Sequence, residues 1–179
     1  MYKSREEEMA ASWLEEAKEH GLVESWYYEP EEFTIVPKAV YKEEVALKTK
    51  IKTVERVLFQ DATYEPDFTL VLSDKGLRAF KDVFTILQGN QVWIEIKGAF
   101  NPHQKDGRYD VLRRKILYYL CGVYCQRVEP KKLFACTFCP EEYMWMKNRK
   151  EPTKTKLGKS CKSVQAFVDA HSIPEGLFG

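Results

Sequence analysis

Histidine is scarce in this sequence. There are three, His20, His103 and His171, and they share no metal-ligand spacing. No serine sits in a nucleophile-elbow pattern and no glycine-rich phosphate loop occurs, which sets aside serine-hydrolase and P-loop chemistry. Internal repeats and low-complexity tracts are also missing, so solenoid and disordered architectures find no support. No apolar run approaches the roughly 18 residues of a membrane span. The N-terminus, MYKSREEEMAASW, lacks the apolar stretch of a signal peptide. The expectation is an intracellular, cytoplasmic protein with no membrane partner, whose five cysteines stay reduced.

What is present is an ordinary globular composition with an uneven charge. The chain has 179 residues, 44% hydrophobic and 31% charged, enough for a single domain over 1–179 with its own core. The net charge of +1 conceals a gradient. Residues 1–45 carry 5 basic against 12 acidic side chains, whereas residues 97–162 carry 16 against 6. A basic C-terminal half can follow a phosphate backbone while the acidic part faces away, so DNA is the expected partner. A solvated helix face with a basic loop is the plainer alternative.

Ser4 and Glu7 form a capping-box signature, and Ala10, Trp13, Leu14 and Ala17 recur at helical spacing up to Gly21. A helix over about 5–20 follows. Phe33–Val36 reads as a strand between prolines, and 45–60 as β-branched alternation. On that strand Lys48, Lys50 and Lys52 would share one face, either as a protected edge or as phosphate contacts. Phe68–Leu72 is a further strand, followed by a turn at Ser73–Gly76 and a short helix or inserted loop at 77–87. Val92–Ile96 is an apolar strand. A helix over about 110–126 carries Leu112, Ile116, Tyr119, Leu120 and Val123, with Arg113, Arg114 and Lys115 near its start. Leu133–Phe138 reads as a strand, 146–162 as a mobile lysine-rich loop, and 162–171 as a last helix. The order predicts an α/β domain with a mixed sheet flanked by helices.

Two segments carry the chemistry. In Val92-Trp93-Ile94-Glu95-Ile96-Lys97-Gly98, Glu95 and Lys97 leave one face of the strand while Ile94 and Ile96 leave the other. An acid and a lysine at the end of an apolar strand are costly unless partnered. In Tyr64-Glu65-Pro66-Asp67-Phe68, Asp67 opens a strand just after a proline. If the strands pair, Asp67 and Glu95 converge on one divalent cation, with the backbone carbonyl of Ile96 a further ligand. Hard oxygen donors suit Mg²⁺ or Mn²⁺. Lys97 then activates a water or offsets charge developing on phosphorus. The plainer alternative is a hairpin with a surface Glu–Lys pair.

These residues resemble the PD-(D/E)xK nucleases, in particular small phage endonucleases of the Holliday-junction-resolvase type. The resemblance covers about residues 4–138 and leaves the basic loop and C-terminal helix at 146–179 unaccounted for. Ser4, Glu7, Ala11 and Leu14 match the spacing of the family's first helix, Phe33–Pro37 its first strand, and Arg113–Leu117 its basic helix. It implies a restriction-endonuclease-like core, an Mg²⁺-dependent endodeoxyribonuclease activity, and Glu7 as a third acidic site residue; Glu7 reads equally as the helix cap. Junction resolution implies a homodimer, because two cuts must be placed symmetrically. The stretch between Asp67 and Glu95 is longer than the family's usual hairpin. The Gln-x-x-x-Tyr motif of its exonuclease branch is missing, since Gln104 and Tyr109 are one residue too far apart. Other readings are a restriction- or transposition-type nuclease subunit on the same core, or a nucleic-acid-binding module without cleavage.

Cys121, Cys125, Cys136 and Cys139 have a spacing that zinc could use. The reading favours buried thiols over a structural Zn²⁺ site, because Cys121 and Cys125 lie beside the apolar stripe of one helix. Cys161 is expected to be free. Tyr118, Tyr119, Tyr124 and Trp145 are assigned to core packing rather than to base stacking.

Overall fold

A computed structural model describes residues 2–87, 89–98, 105–146 and 153–171. The chain opens with helix α1 (Arg5–Glu19), capped where the Ser4 side chain accepts the Glu7 N–H at 3.2 Å. Three glutamates in its first turn suit the positive end of the helix dipole. Its inner face buries Met9, Ala10, Trp13, Leu14 and Ala17. Gly21, at φ 69°, then lets the chain turn back. Strand β1 (Val23–Tyr28) follows, then β2 (Phe33–Val36), β3 (Ala39–Ala46), β4 (Ile51–Phe59), β5 (Ala62–Tyr64) and β6 (Phe68–Leu72).

Helix α2 (Asp74–Ala79) occupies the place where the sequence predicts a turn, with Ser73 as its cap. Gly76 is required there: a Cβ would stand 1.9 Å from the Leu22 carbonyl oxygen. Strand β7 (Gln91–Ile96) leads to α3 (Lys105–Cys121), then β8 (Cys125–Val128), α4 (Pro130–Cys136), α5 (Glu141–Met144), α6 (Lys156–Ser160) and α7 (Val164–His171).

The centre is a four-stranded mixed sheet in the order β1-β6-β7-β8. The first three strands are antiparallel, and β8 joins β7 in parallel after the α3 crossover. Phe68, Leu70, Leu72, Val92, Ile94 and Ile96 bury one face of it in the main core with α1. Trp13 lies in that core, stacked 5.2 Å from Phe138, with its indole N–H donated to Thr137 Oγ1 at 3.0 Å. On the opposite face, Leu117 of α3 joins Ile35, Tyr64 and Cys125 in a smaller core.

Several expectations are corrected. Leu133–Phe138 is not a strand: Leu133 and Phe134 belong to α4, which Pro130 starts at the first helical position. A short apolar run cannot by itself separate strand from helix. The helix expected over 110–126 runs instead from 105 to 121, and Gly122 at φ 71° ends it, so Cys125 and Gln126 lie in β8. Phe33–Val36 forms the strand expected of it and pairs with β5, outside the central sheet, in which β6 lies between β1 and β7. Within the lysine-rich stretch, α6 and a bridge between Trp145 and Lys154 replace the expected loop. Its residues 147–152, with Lys147, Arg149 and Lys150, lie outside the described residues, as do His103, Gln104 and 172–179. Among the described residues no helix is long and apolar enough to cross a membrane.

Candidate active site

The register of β6 against β7 decides what Asp67 meets. Phe68 stands opposite Ile94, so one step outward Asp67 comes opposite Glu95 on the face away from the main core. Directly opposed side chains of this kind sit about 5 Å apart at Cβ. Asp67 Oδ2 accepts the Ile96 N–H at 2.5 Å, which ties the residue before β6 to the end of β7. Burial, then the charge of Glu95, pushes the Asp67 carboxyl up to about 7 against the opposing pull of the Ile96 N–H and Lys97. The two acids are thus held close enough for the charge of Glu95 to be felt at Asp67.

Glu95 is only 7% exposed. Its Oε1 pairs with Lys97 Nζ at 2.6 Å, two residues on along the same face. Its Oε2 accepts from the Tyr64 hydroxyl at 3.1 Å. Burial and the charges of Cys125 and Glu95 push Tyr64 above its usual range, so it stays a donor. The Cys125 thiol, 3.8 Å from the same hydroxyl, is pushed up to about 12 by burial and remains a protonated, packed sulfur. Burial lowers the Lys97 pKa, but the hydrogen bond and charge of Glu95, with those of Asp67 and Asp110, outweigh it. Lys97 is therefore held as an ammonium group, which suits it to stabilising negative charge and not to taking a proton.

Glu7 lies at the margin of this group, and its charge is felt at Asp67. Its oxygens already have partners: Oε1 accepts from Ser4 Oγ at 2.9 Å, and Oε2 from the Lys3 N–H at 2.8 Å and the Tyr28 hydroxyl at 2.7 Å. Burial raises its pKa, and these bonds more than reverse that, leaving Glu7 below the usual carboxylate range. It bonds the Ser4 cap of α1 and adds a negative charge that is felt at Asp67.

Asp110, on α3, belongs to the same group and was not singled out from the sequence. Arg114 pairs with it at 3.2 Å and Arg127 at 3.9 Å, and its charge reaches Lys97 and Tyr64. Arg127 stands opposite Glu95 on β8. The signal available was the Asp110–Arg114 spacing of i,i+4 on the helix that follows β7.

The basic residues of α3 are divided among different surroundings. Arg113 lies over the Tyr64 ring at 5.2 Å and donates to the Thr63 carbonyl. Arg114 turns inward to Asp110 and to the Cys125 carbonyl. Lys115 is exposed. Lys48 and Lys50 do not share a strand face with Lys52: they lie in the turn between β3 and β4, closed by the Leu47 N–H on the Lys50 carbonyl, and Lys52 lies in β4.

The cysteines are dispersed. Cys125 and Cys139 are buried, Cys121 and Cys136 exposed, and Cys121 and Cys125 no longer share a helix. Among the described residues, no three His, Cys, Asp or Glu side chains form a group arranged to hold a metal. Tyr118, Tyr119 and Tyr124 are 50%, 87% and 42% exposed, against their assignment to the core. Compared with family models, curated proteins and solved structures, the chain matches none.

Proposed function

We propose that this protein is a metal-dependent DNA endonuclease with a restriction-endonuclease-like core of the PD-(D/E)xK type. The observation that carries the reading is the placement of Asp67 across from Glu95, with Lys97 bonded beside them. The donor set fits a hard divalent cation such as Mg²⁺ or Mn²⁺. It consists of oxygens, and Asp67 is held up near 7 by burial and a neighbouring carboxylate, a strain that a cation between the two would relieve.

Asp67, Glu95 and the backbone carbonyl of Ile96 would hold it. The Ile96 N–H points to Asp67, and on a strand the carbonyl of the same residue lies along the same edge. A bound cation would polarise a phosphoryl oxygen and make a water more acidic. The chain's own groups supply the rest. Lys97, kept protonated, offsets the charge that builds on the phosphate as water oxygen attacks phosphorus and the leaving oxygen departs. Tyr64 fixes the orientation of Glu95. Asp110 and Arg127 hold the flank of the site, and Glu7 keeps its negative charge at the rear.

DNA as substrate is supported by the basic character of residues 97–162 on the side of the chain that follows the active strand. A junction-resolving role, with two copies cutting symmetrically, is the narrower form of the proposal. The test is incubation with Mg²⁺ and a panel of linear, forked and four-way DNA. The parent is expected to cut at least one of them. Glu95→Ala should lose on the order of 10³-fold or more in rate while still binding DNA. Equal cutting by the variant would remove the site assignment.

A further inference from the structure

Residues 33–64 form one long interrupted ribbon. β2 pairs with β5 at its root, and β3 pairs with β4 beyond, with irregular register at Thr34/Val36 and Ala39/Val40. The root is well packed: Ile35 is 2% exposed and Tyr64 3%, both against Leu117 of α3. Beyond it, among the described residues, no element packs substantially on β3 or β4 except each on the other. A two-stranded ribbon standing alone is marginal in water. This one also exposes apolar side chains, with Ile51 70% and Leu47 47% exposed near the tip.

Its charges are arranged in two ways. Along the shaft three acids, Glu43, Glu44 and Glu55, stand against two bases, with Arg56 bonded to Glu43 at 2.9 Å and Lys42 opposite Glu55. At the tip there are bases only. Between Val45 and Val54 the charged residues are Lys48, Lys50 and Lys52, without an acid among them. The far end of the ribbon is therefore a compact cluster of positive charge, while its near end carries Tyr64, bonded to Glu95 and three residues before Asp67. Strands of eight and nine residues span about 26–30 Å at 3.3 Å per residue. A two-stranded ribbon fits the major groove of B-form DNA, about 12 Å wide.

We infer that residues 39–59 are an arm that clasps duplex DNA. Lys48, Lys50 and Lys52 hold backbone phosphates about an arm's length from the bond at Asp67 and Glu95, and Leu47 and Ile51 meet the groove wall. The inference rests on the nuclease reading and adds where the duplex lies. Charge complementarity selects the occupant: an unbalanced lysine tip suits a polyanion, whereas in a symmetric contact between copies two such tips would repel.

The test compares the full chain with the triple variant Lys48→Gln, Lys50→Gln, Lys52→Gln, and with Lys42→Gln as a shaft control. Binding to a 30-base-pair duplex is followed by fluorescence anisotropy in EDTA, from about 0.05 to 0.2 M salt. The triple variant should bind about 10- to 100-fold more weakly at 0.1 M salt, and its plot of log affinity against log salt should be shallower by about 2–3. The shaft control should change the slope by less than 1. Circular dichroism should be the same for all three. A triple variant with the parent's affinity and slope overturns the arm and leaves the nuclease reading standing. A parent that does not bind DNA overturns both. A change in self-association with DNA affinity intact assigns the arm to a contact between copies and overturns the inference.

Discussion

The two faces of the central sheet are built from the same strands and do opposite work. One presents Phe68, Leu70, Leu72, Val92, Ile94 and Ile96, all 3% exposed or less, to the main core. The other presents Thr69, Trp93 and Glu95, alternate residues of the same two strands, with Asp67 and Lys97 just beyond their ends. The apolar face gains free energy by leaving water. The polar face gives some of it back, because it holds two neighbouring carboxylates in a partly buried place where Asp67 resists ionising. The candidate site lies where the fold is electrostatically least content, at the strand ends, with the hydrophobic face as the rigid support.

That contrast can be broken by substitutions on either side. Phe68→Ala on the core face should cost about 3–5 kcal/mol through lost burial and a residual cavity. Urea denaturation measures it, and a cost below about 1 kcal/mol would mean that this face is not the support described.

The polar face should instead show itself in proton linkage. A divalent cation held by Asp67 would displace its proton, so on the proposed reading cation affinity should rise about tenfold between pH 6 and pH 8, centred on the value near 7. Calorimetric titration with Mn²⁺ at the two pH values is the check, and a flat profile would place the cation elsewhere.

The smallest effect is on stability. The folded-state pKa of Asp67 is raised from 3.8 to about 7, so the native state binds more protons across that interval. Stability should therefore fall as pH rises through it and level off above it. Asp67→Asn has no charge to bury. At pH 8 in EDTA it should be more stable than the parent by about 1 kcal/mol, allowing for solvent screening, or roughly 2–4 °C in Tm. At pH 4 the two should converge. A less stable Asp67→Asn at pH 8 would show that the hydrogen bond to Ile96 outweighs the buried charge.

Much of this face was legible in the sequence because it obeys short-range rules. Period two fixes Glu95 and Lys97 on one side, the proline before Asp67 marks a strand entry, and the Ser4–Glu7 spacing marks the first helix cap. What escaped depends on distant partners or weak punctuation. Strand β1 carries Trp26, Tyr27 and Tyr28 between Gly21 and Pro30, a β-favouring run without strict alternation. The turn Leu47–Lys50 contains no glycine, proline or asparagine, so the alternation reads straight through it and puts three lysines on one strand. Asp110 enters the site only because α3 crosses the sheet with that side turned inward, which the Asp110–Arg114 spacing marks as an ion pair but does not place. The apolar run at Leu133 fits a helix or a strand equally, and its burial beside Pro130 makes it a helix.

The central claim is that Asp67 and Glu95 share one divalent cation. The direct measurement is Mn²⁺ binding at pH 7.5, followed by the electron paramagnetic resonance signal of the free ion, for the parent and for Asp67→Asn combined with Glu95→Gln. One site per chain is expected in the parent and its loss in the double variant, with the fold intact by circular dichroism. Undiminished binding in the double variant would contradict a shared cation.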